Sequence, residues 1–149
     1  MKIKDKGSLE ITDQDFSLRK KALSLSRIDE KMKILITEDD FFSITYLKLL
    51  LGKHGYETVV AENGQKAVDM VKADRSIRYV LMDIKLPVMD GFTATRLIKE
   101  FDPGIKVIAQ TAYALSGDRE RSLHSGFDDY LTKPLHADSL LRILEDFSK

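Results

Sequence analysis

The stretch Tyr79-Val80-Leu81-Met82-Asp83-Ile84-Lys85-Leu86-Pro87-Val88-Met89-Asp90-Gly91 decides the fold of this chain. A short apolar run, Tyr79 to Met82, ends abruptly on an acid, Asp83; Pro87 and the Asp90-Gly91 pair follow. A run this short, containing Val and Tyr and bounded by turn residues, predicts a buried strand rather than a helix. In an open parallel sheet, ligands bind in the crevice outside the carboxyl ends of the strands. An acid in the last strand position would face that crevice. By residue type alone a solvated loop acid is the commoner case, and it is the rest of the chain that overturns it. Three other apolar runs also end on polar residues.

Upstream, Lys33-Ile34-Leu35-Ile36-Thr37 runs into Glu38-Asp39-Asp40. Ile44, Leu47 and Leu51 then follow at helical spacing, stopped by Gly52 and Gly55. Glu57 to Ala61 is a second strand, and Asn63 caps a helix with Ala67, Val68 and Val71 inward. Downstream, Ala94, Leu97, Ile98 and Phe101 share a helix face, broken by Asp102-Pro103-Gly104. Ile105 to Gln110 is a fourth strand ending at Thr111-Ala112, and a more polar helix covers about Gly117 to Ser125, closed by Gly126. Asp129-Tyr130-Leu131-Thr132 is a fifth strand ending at Lys133-Pro134; His136 opens a last helix with Leu140, Ile143, Leu144 and Phe147 on one face. Strict strand–helix alternation with short connections predicts an α/β fold with a parallel sheet covered on both sides. Five such units suit the flavodoxin-like doubly wound (βα)5 arrangement, a five-stranded parallel sheet in order 2-1-3-4-5.

The 149 residues suffice for one domain with length to spare. Lys plus Arg and Asp plus Glu number 24 each, so net charge gives no argument for a nucleic-acid partner. The absence of cysteine excludes a disulfide framework, a thiol nucleophile and a cysteine metal site. No apolar run reaches the length of a membrane span, and the N-terminus has no signal-peptide core. These features fit a cytoplasmic domain, including the cytoplasmic part of a membrane sensor. Residues 1–32 differ in texture, being dense in Lys, Asp and Ser. They are read as a linker or N-terminal extension before a domain at 33–149. Thr12 could cap a helix with Asp13 and Asp15 in its first turn, and Leu18, Ala22, Leu25 and Met32 would form one thin apolar stripe. A linker with a transient helix fits equally, and whether this segment pairs two copies into a homodimer stays open.

In the predicted sheet, the first, third, fourth and fifth strands bring Glu38-Asp39, Asp83, Thr111 and Lys133 together. Three crowded acids need a cation, and a hard divalent ion such as Mg²⁺ takes oxygen ligands of this kind. A lysine and a hydroxyl opposite them suit a phosphoryl group, and an aspartate can act as the nucleophile that forms an acyl phosphate. Asp40 reads as a helix cap. His54, His124 and His136 have neither metal nor triad spacing.

From about Lys33 to Phe147 the chain resembles the receiver domain of two-component response regulators. The resemblance rests on Ile34-Leu35-Ile36-Thr37-Glu38-Asp39-Asp40, on Met82 to Gly91, on Thr111-Ala112, and on Tyr130-Leu131-Thr132-Lys133-Pro134. It implies that Asp83 is the phospho-acceptor, and that Glu38, Asp39, Asp83 and the Lys85 backbone carbonyl hold Mg²⁺. It further implies that Thr111 and Lys133 contact the phosphoryl oxygens, and that Tyr130 is a switch aromatic moving with Thr111. Lys85 and Tyr113 occupy positions that tune phosphate lifetime. Glu38 departs from the commoner Asp by one methylene, so its reach to a metal requires another rotamer or a water. The implied partner is a histidine kinase or a histidine phosphotransfer domain. The implied activity is the domain's own phosphorylation and dephosphorylation, switching the face made by the fourth helix, fifth strand and fifth helix. Residues ahead of the receiver and no DNA-reading helix-turn-helix behind it suggest the C-terminal receiver of a hybrid sensor histidine kinase. A stand-alone regulator is the alternative, as is a pseudo-receiver that binds partners without phosphotransfer. A haloacid-dehalogenase-like phosphatase is rejected, because its second Asp is replaced by Lys85.

Overall fold

Ile34, Leu35 and Ile36 are fully buried in strand β1 (Lys33–Thr37), a run apolar on both faces that only a covered parallel sheet accommodates. The computed structural model describes residues 3–4, 8–9, 12–15, 17–18, 32–112 and 124–149. After β1 come α1 (Phe41–Lys53), β2 (Glu57–Ala61), α2 (Gly64–Ala73), β3 (Ile77–Asp83) and α3 (Gly91–Phe101). Then follow β4 (Lys106–Thr111), β5 (Asp129–Thr132) and the C-terminal helix (Ala137–Phe147). The five strands lie in the order β2-β1-β3-β4-β5, all parallel, which is the expected 2-1-3-4-5 arrangement. Most of the segment between β4 and β5, including the helix expected near Gly117, lies outside the described residues.

Side-chain alternation along the strands divides the interior into two cores. Leu35, Val80, Met82, Val107 and Ala109 pack with Ala67, Val68 and Val71 of α2 and with Ala94 and Ile98 of α3. Ile34, Ile36, Tyr79, Leu81, Ile108 and Leu131 pack with Leu47 and Leu51 of α1 and with Leu140 and Leu144 of the C-terminal helix. Two of the helix caps, Asp40 and Asn63, are those read from sequence, and the structure adds Asp90. Asp40 accepts from the Ser43 N–H at 2.9 Å, Asn63 from the Lys66 N–H at 2.8 Å and Asp90 from the Thr93 N–H at 2.8 Å. His136 stands at the cap of the last helix without a side-chain bond to it.

The edge of the sheet away from the polar strand ends is tied by ion pairs. Lys33 meets Asp74 at 2.8 Å, and Arg78 meets Asp102 at 2.9 Å. The hydrogen bond from Lys33, with two more from Ser76, holds the Asp74 carboxyl down at about 2. Asp128 accepts from Lys99 at 2.6 Å and from the Val107 N–H at 2.8 Å, fastening the approach to β5.

The chain divides into two compact units, residues 1–31 and 32–149. In the first, Ile3–Lys4 pairs antiparallel with Ser8–Leu9, a short hairpin that the scattered apolar residues do not announce. The expected cap at Thr12 is present in reciprocal form: Thr12 Oγ1 accepts from the Asp15 N–H at 3.1 Å, and the Asp15 carboxylate accepts from the Thr12 N–H at 3.2 Å. Of the expected stripe, Leu18 and Met32 are exposed, and Ala22 and Leu25 lie outside the described residues.

Candidate functional site

Asp83 is the final residue of β3, and the sheet register sets Gln110 of β4 beside it. Thr111 is therefore one residue beyond Asp83 on the neighbouring strand. Glu38 and Asp39 leave the end of β1, where the Glu38 N–H donates to the Ala61 carbonyl at 3.1 Å. Lys133 follows β5, its backbone N–H donates to the Thr111 carbonyl at 2.7 Å, and the peptide bond after it, Lys133–Pro134, is cis. Backbone pairing alone thus brings four distant segments to one end of the sheet.

The side chains close the arrangement. Lys133 Nζ donates to Glu38 Oε2 at 2.9 Å and to Asp83 Oδ2 at 3.1 Å. Glu38 is 1% exposed and Asp83 8%. Ligand oxygens of Glu38, Asp39 and Asp83 all lie within 4.8 Å of one another. Burial pushes the Glu38 carboxyl up; the Lys133 hydrogen bond pulls the other way, the Asp83 charge pushes up again, and the result stays raised. For Lys133, burial opposes the ammonium, but the Glu38 hydrogen bond and the charges of Asp83 and Glu38 outweigh it, so its pKa is raised. One lysine faces three carboxylates, and the excess negative charge suits a divalent cation. An all-oxygen donor set with one exposed member, Asp39, suits Mg²⁺, which keeps several waters and takes one or two carboxylates. Glu38 Oε1 also accepts from the Asp40 N–H at 3.3 Å, so both of its oxygens are already engaged. That is where the extra methylene goes.

The remaining expected residues are placed as follows. Lys85 is exposed, and its N–H donates to Asp83 Oδ1 at 3.1 Å, an orienting bond that the sequence did not suggest. Thr111 is buried at the end of β4. Tyr130 is half-buried on β5 and packs against the core beneath α2 and α3. Tyr113 lies outside the described residues.

The loop from β3 to α3 is held by close approach and by strain. Gly91 donates its N–H to the Ile84 carbonyl at 2.9 Å, and a Cβ there would collide with the Asp83 carbonyl oxygen. Gly91→Ala is expected to cost about 1–3 kcal/mol by overpacking and to displace Asp83, read as a lower urea midpoint together with slower phosphoryl uptake. Val88 has φ 68°, and the Met89 N–H donates to the Pro87 carbonyl at 2.7 Å, a γ-turn centred on a β-branched residue. Such strain costs about 1–3 kcal/mol. Val88→Gly, allowing for glycine's greater unfolded-state entropy, is expected to stabilise the protein by about 1 kcal/mol in urea titrations.

Sequence patterning missed the outer face of α1, where Phe41, Phe42 and Leu49 are each more than 70% exposed. The signal was available, since apolar residues occupy nearly the whole circumference of that helix. Among the described residues, no helix is long and apolar enough to cross a membrane.

Comparisons with known proteins agree with this geometry. The chain is 38% identical over 120 residues to hybrid signal transduction histidine kinase I of Dictyostelium discoideum, covering 75% of this chain but only 7% of that protein. The receiver domain of sensor histidine kinase PA1611 from Pseudomonas aeruginosa, solved with magnesium in its active-site cleft, is 39% identical with a TM-score of 0.71. That match covers 78% of this chain and 96% of that one. The receiver domain of Saccharomyces cerevisiae Ssk1, solved with the histidine phosphotransfer protein Ypd1, is 30% identical with a TM-score of 0.74, covering 78% and 88%. The model of the response regulator receiver domain matches residues 34–145, the whole doubly wound sheet with its acid cluster and lysine, and the chain belongs to that family.

Proposed function

We propose that this domain is a phosphorylatable switch that takes a phosphoryl group from a phosphohistidine onto Asp83. The observation that carries the proposal is the Lys133 ammonium bridging Glu38 and Asp83, with three carboxylates within 4.8 Å at the strand ends. An Asp83 oxygen attacks phosphorus, the phosphorus–nitrogen bond breaks, and the donor imidazole departs with the electron pair. Mg²⁺, held by Glu38, Asp39, Asp83 and the Lys85 carbonyl, would offset the charge on the transferring oxygens. Lys133 supplies positive charge on the other side, and its bonds to Glu38 and Asp83 hold it ready. The Lys85 N–H fixes the Asp83 carboxylate plane. Thr111 receives a phosphoryl oxygen and Tyr130 follows it, a population shift biased by covalent charge; Lys85 and Tyr113 tune how long that charge persists.

The partner is a histidine kinase or a histidine phosphotransfer domain in the cytoplasm. The exposed Phe41 and Phe42, which open α1 directly after Asp39 and Asp40, support docking of a protein donor rather than a free metabolite. The chain is proposed to be the receiver of a hybrid sensor kinase, with residues 1–32 as its linker, and pairing of two copies through that segment is an additional element of the proposal.

The test is intact-protein mass after acetyl phosphate and Mg²⁺, followed by borohydride reduction and peptide sequencing. One added phosphoryl group, not formed when Mg²⁺ is withheld and mapped to Asp83, supports the switch. No adduct from acetyl phosphate or from a phosphorylated phosphotransfer protein would leave a binding module without phosphotransfer.

A further inference from the structure

Two glycines pinch the loop between β3 and α3. Gly91 closes it on one side, with its N–H on the Ile84 carbonyl at 2.9 Å. On the other side the Met89 carbonyl lies against Gly64, the first residue of α2. A Cβ on Gly64 would collide with the Met89 carbonyl oxygen, and would stand 3.0 Å from the carbonyl carbon and 3.1 Å from the Met89 Cβ. All three are backbone atoms or the root of a side chain, so no change of rotamer clears them. The missing side chain at Gly64 therefore sets how closely the loop approaches α2.

Anchorage decides which side would yield to such a Cβ. α2 is buried through Ala67, Val68 and Val71 and capped by Asn63. The loop is the softer partner, being exposed at Lys85, Pro87 and Val88. Most of its residues are already fixed. Ile84 donates to the Gln110 carbonyl at 3.1 Å and accepts from Gly91, and Asp90 caps α3. Pro87 has its φ locked by the ring, and Leu86 before it is confined to extended backbone. Val88 sits at φ 68° with the Met89 N–H on the Pro87 carbonyl. Lys85 keeps the softest backbone dihedrals, and a push on Met89 arrives there. Its N–H orients Asp83 Oδ1, and its carbonyl belongs to the metal set proposed above.

We infer that Gly64 is a positioning residue for the acid cluster: by letting the Met89 carbonyl seat on α2, it holds Lys85 where Asp83 and Mg²⁺ require it. The inference rests on the reading of Glu38, Asp39, Asp83 and the Lys85 carbonyl as the Mg²⁺ ligands. Gly64 acts only through the loop, not by contact with the metal or the phosphoryl group.

The test is a Mg²⁺ titration of the ¹⁵N-labelled full chain, wild type beside Gly64→Ala. The variant is expected to bind Mg²⁺ about tenfold more weakly, the scale on which a metal site's supporting groups act. Its Lys85 amide resonance should be displaced before any metal is added. Val71→Ala is the control, buried in the same core about 10 Å further along the same helix. It should lower the urea midpoint and leave Mg²⁺ affinity as in the wild type. Adding Val88→Gly to Gly64→Ala gives the loop a second compliant residue and should restore most of the affinity. Unchanged affinity in Gly64→Ala, an equal loss in Val71→Ala, or no recovery with Val88→Gly would overturn the inference. If Gly64→Ala does not fold, the wild type decides: Mg²⁺ should shift the Lys85, Met89 and Gly64 amides with one midpoint, and a silent Gly64 would overturn it. A wild type that binds no Mg²⁺ defeats the reading of the acid cluster instead. The metal-free Lys85 displacement then decides the role of Gly64, and its absence overturns that role.

Discussion

Asp83→Asn is expected to lower phosphoryl uptake from acetyl phosphate by more than about 10³-fold, because a carboxamide oxygen is a poor nucleophile and the rest of the site is unchanged. The substitution preserves size and keeps an oxygen for one of the two donors that Asp83 serves, the Lys85 N–H at Oδ1 and the Lys133 ammonium at Oδ2, while Glu38 still holds the ammonium. It also leaves two carboxylates where three stood within 4.8 Å, which removes repulsion in the metal-free protein. Thermal stability without Mg²⁺ should therefore hold or rise, while the stabilisation gained on adding Mg²⁺ should shrink. Loss of uptake combined with a retained fold separates chemistry from collapse. Undiminished labelling of the variant would move the acceptor elsewhere, with Asp39, the exposed carboxylate of the cluster, the first to examine.

Lys133→Met should damage both the reaction and the fold. Removing one preorganised positive group facing a transferring phosphoryl costs about 10²–10³-fold in rate. In the resting protein, Glu38 and Asp83 lose their counter-charge while remaining buried, and breaking a buried pair from one side costs about 3–5 kcal/mol. The stability loss should depend on pH in a definite direction. Burial already raises the Glu38 carboxyl, and the Lys133 hydrogen bond restrains that rise, so the folded-state value climbs further in the variant. A carboxyl raised on folding holds its proton longer in the native state. Its contribution is fully present below the unfolded value of about 4.3 and is lost as pH rises through the folded value. With chelator present, urea midpoints of variant and wild type should lie close together near about pH 4.5 and diverge towards about pH 8. A difference independent of pH would mean that Lys133 acts by packing its stem rather than by its charge.

Much of this architecture is legible in one sequence because chain direction and side-chain period are enough to place it. Ile34, Ile36, Leu81 and Ile108 alternate with residues of the opposite core, and each run ends where a polar residue begins. In a parallel sheet those ends lie on one side, so chain direction alone gathers Glu38, Asp83, Thr111 and Lys133. What stayed hidden depends on distances between side chains. Glu38 bonded to Lys133 and to the Asp40 N–H follows from one methylene of extra reach, which spacing does not encode. Gly64 follows a helix cap and looks ordinary in sequence, and only the Met89 carbonyl against it sets it apart. Val88 in the left-handed region is equally silent in sequence, since a Pro-Val pair gives no warning of positive φ. The Ile3–Leu9 hairpin escaped because two-residue strands are too short to show alternation.

The bonds of Lys133 reach across 95 residues to Glu38 and across 50 to Asp83. Contacts between such distant points in a chain are slow to close, because loop entropy must be overcome before they gain anything. A nascent or half-assembled copy, with its first three strands in place and its fifth still wandering, would have Asp83 but no ammonium opposite it. Competence to signal thus arrives only with the last strand, and an unfinished molecule is silent rather than wrongly active.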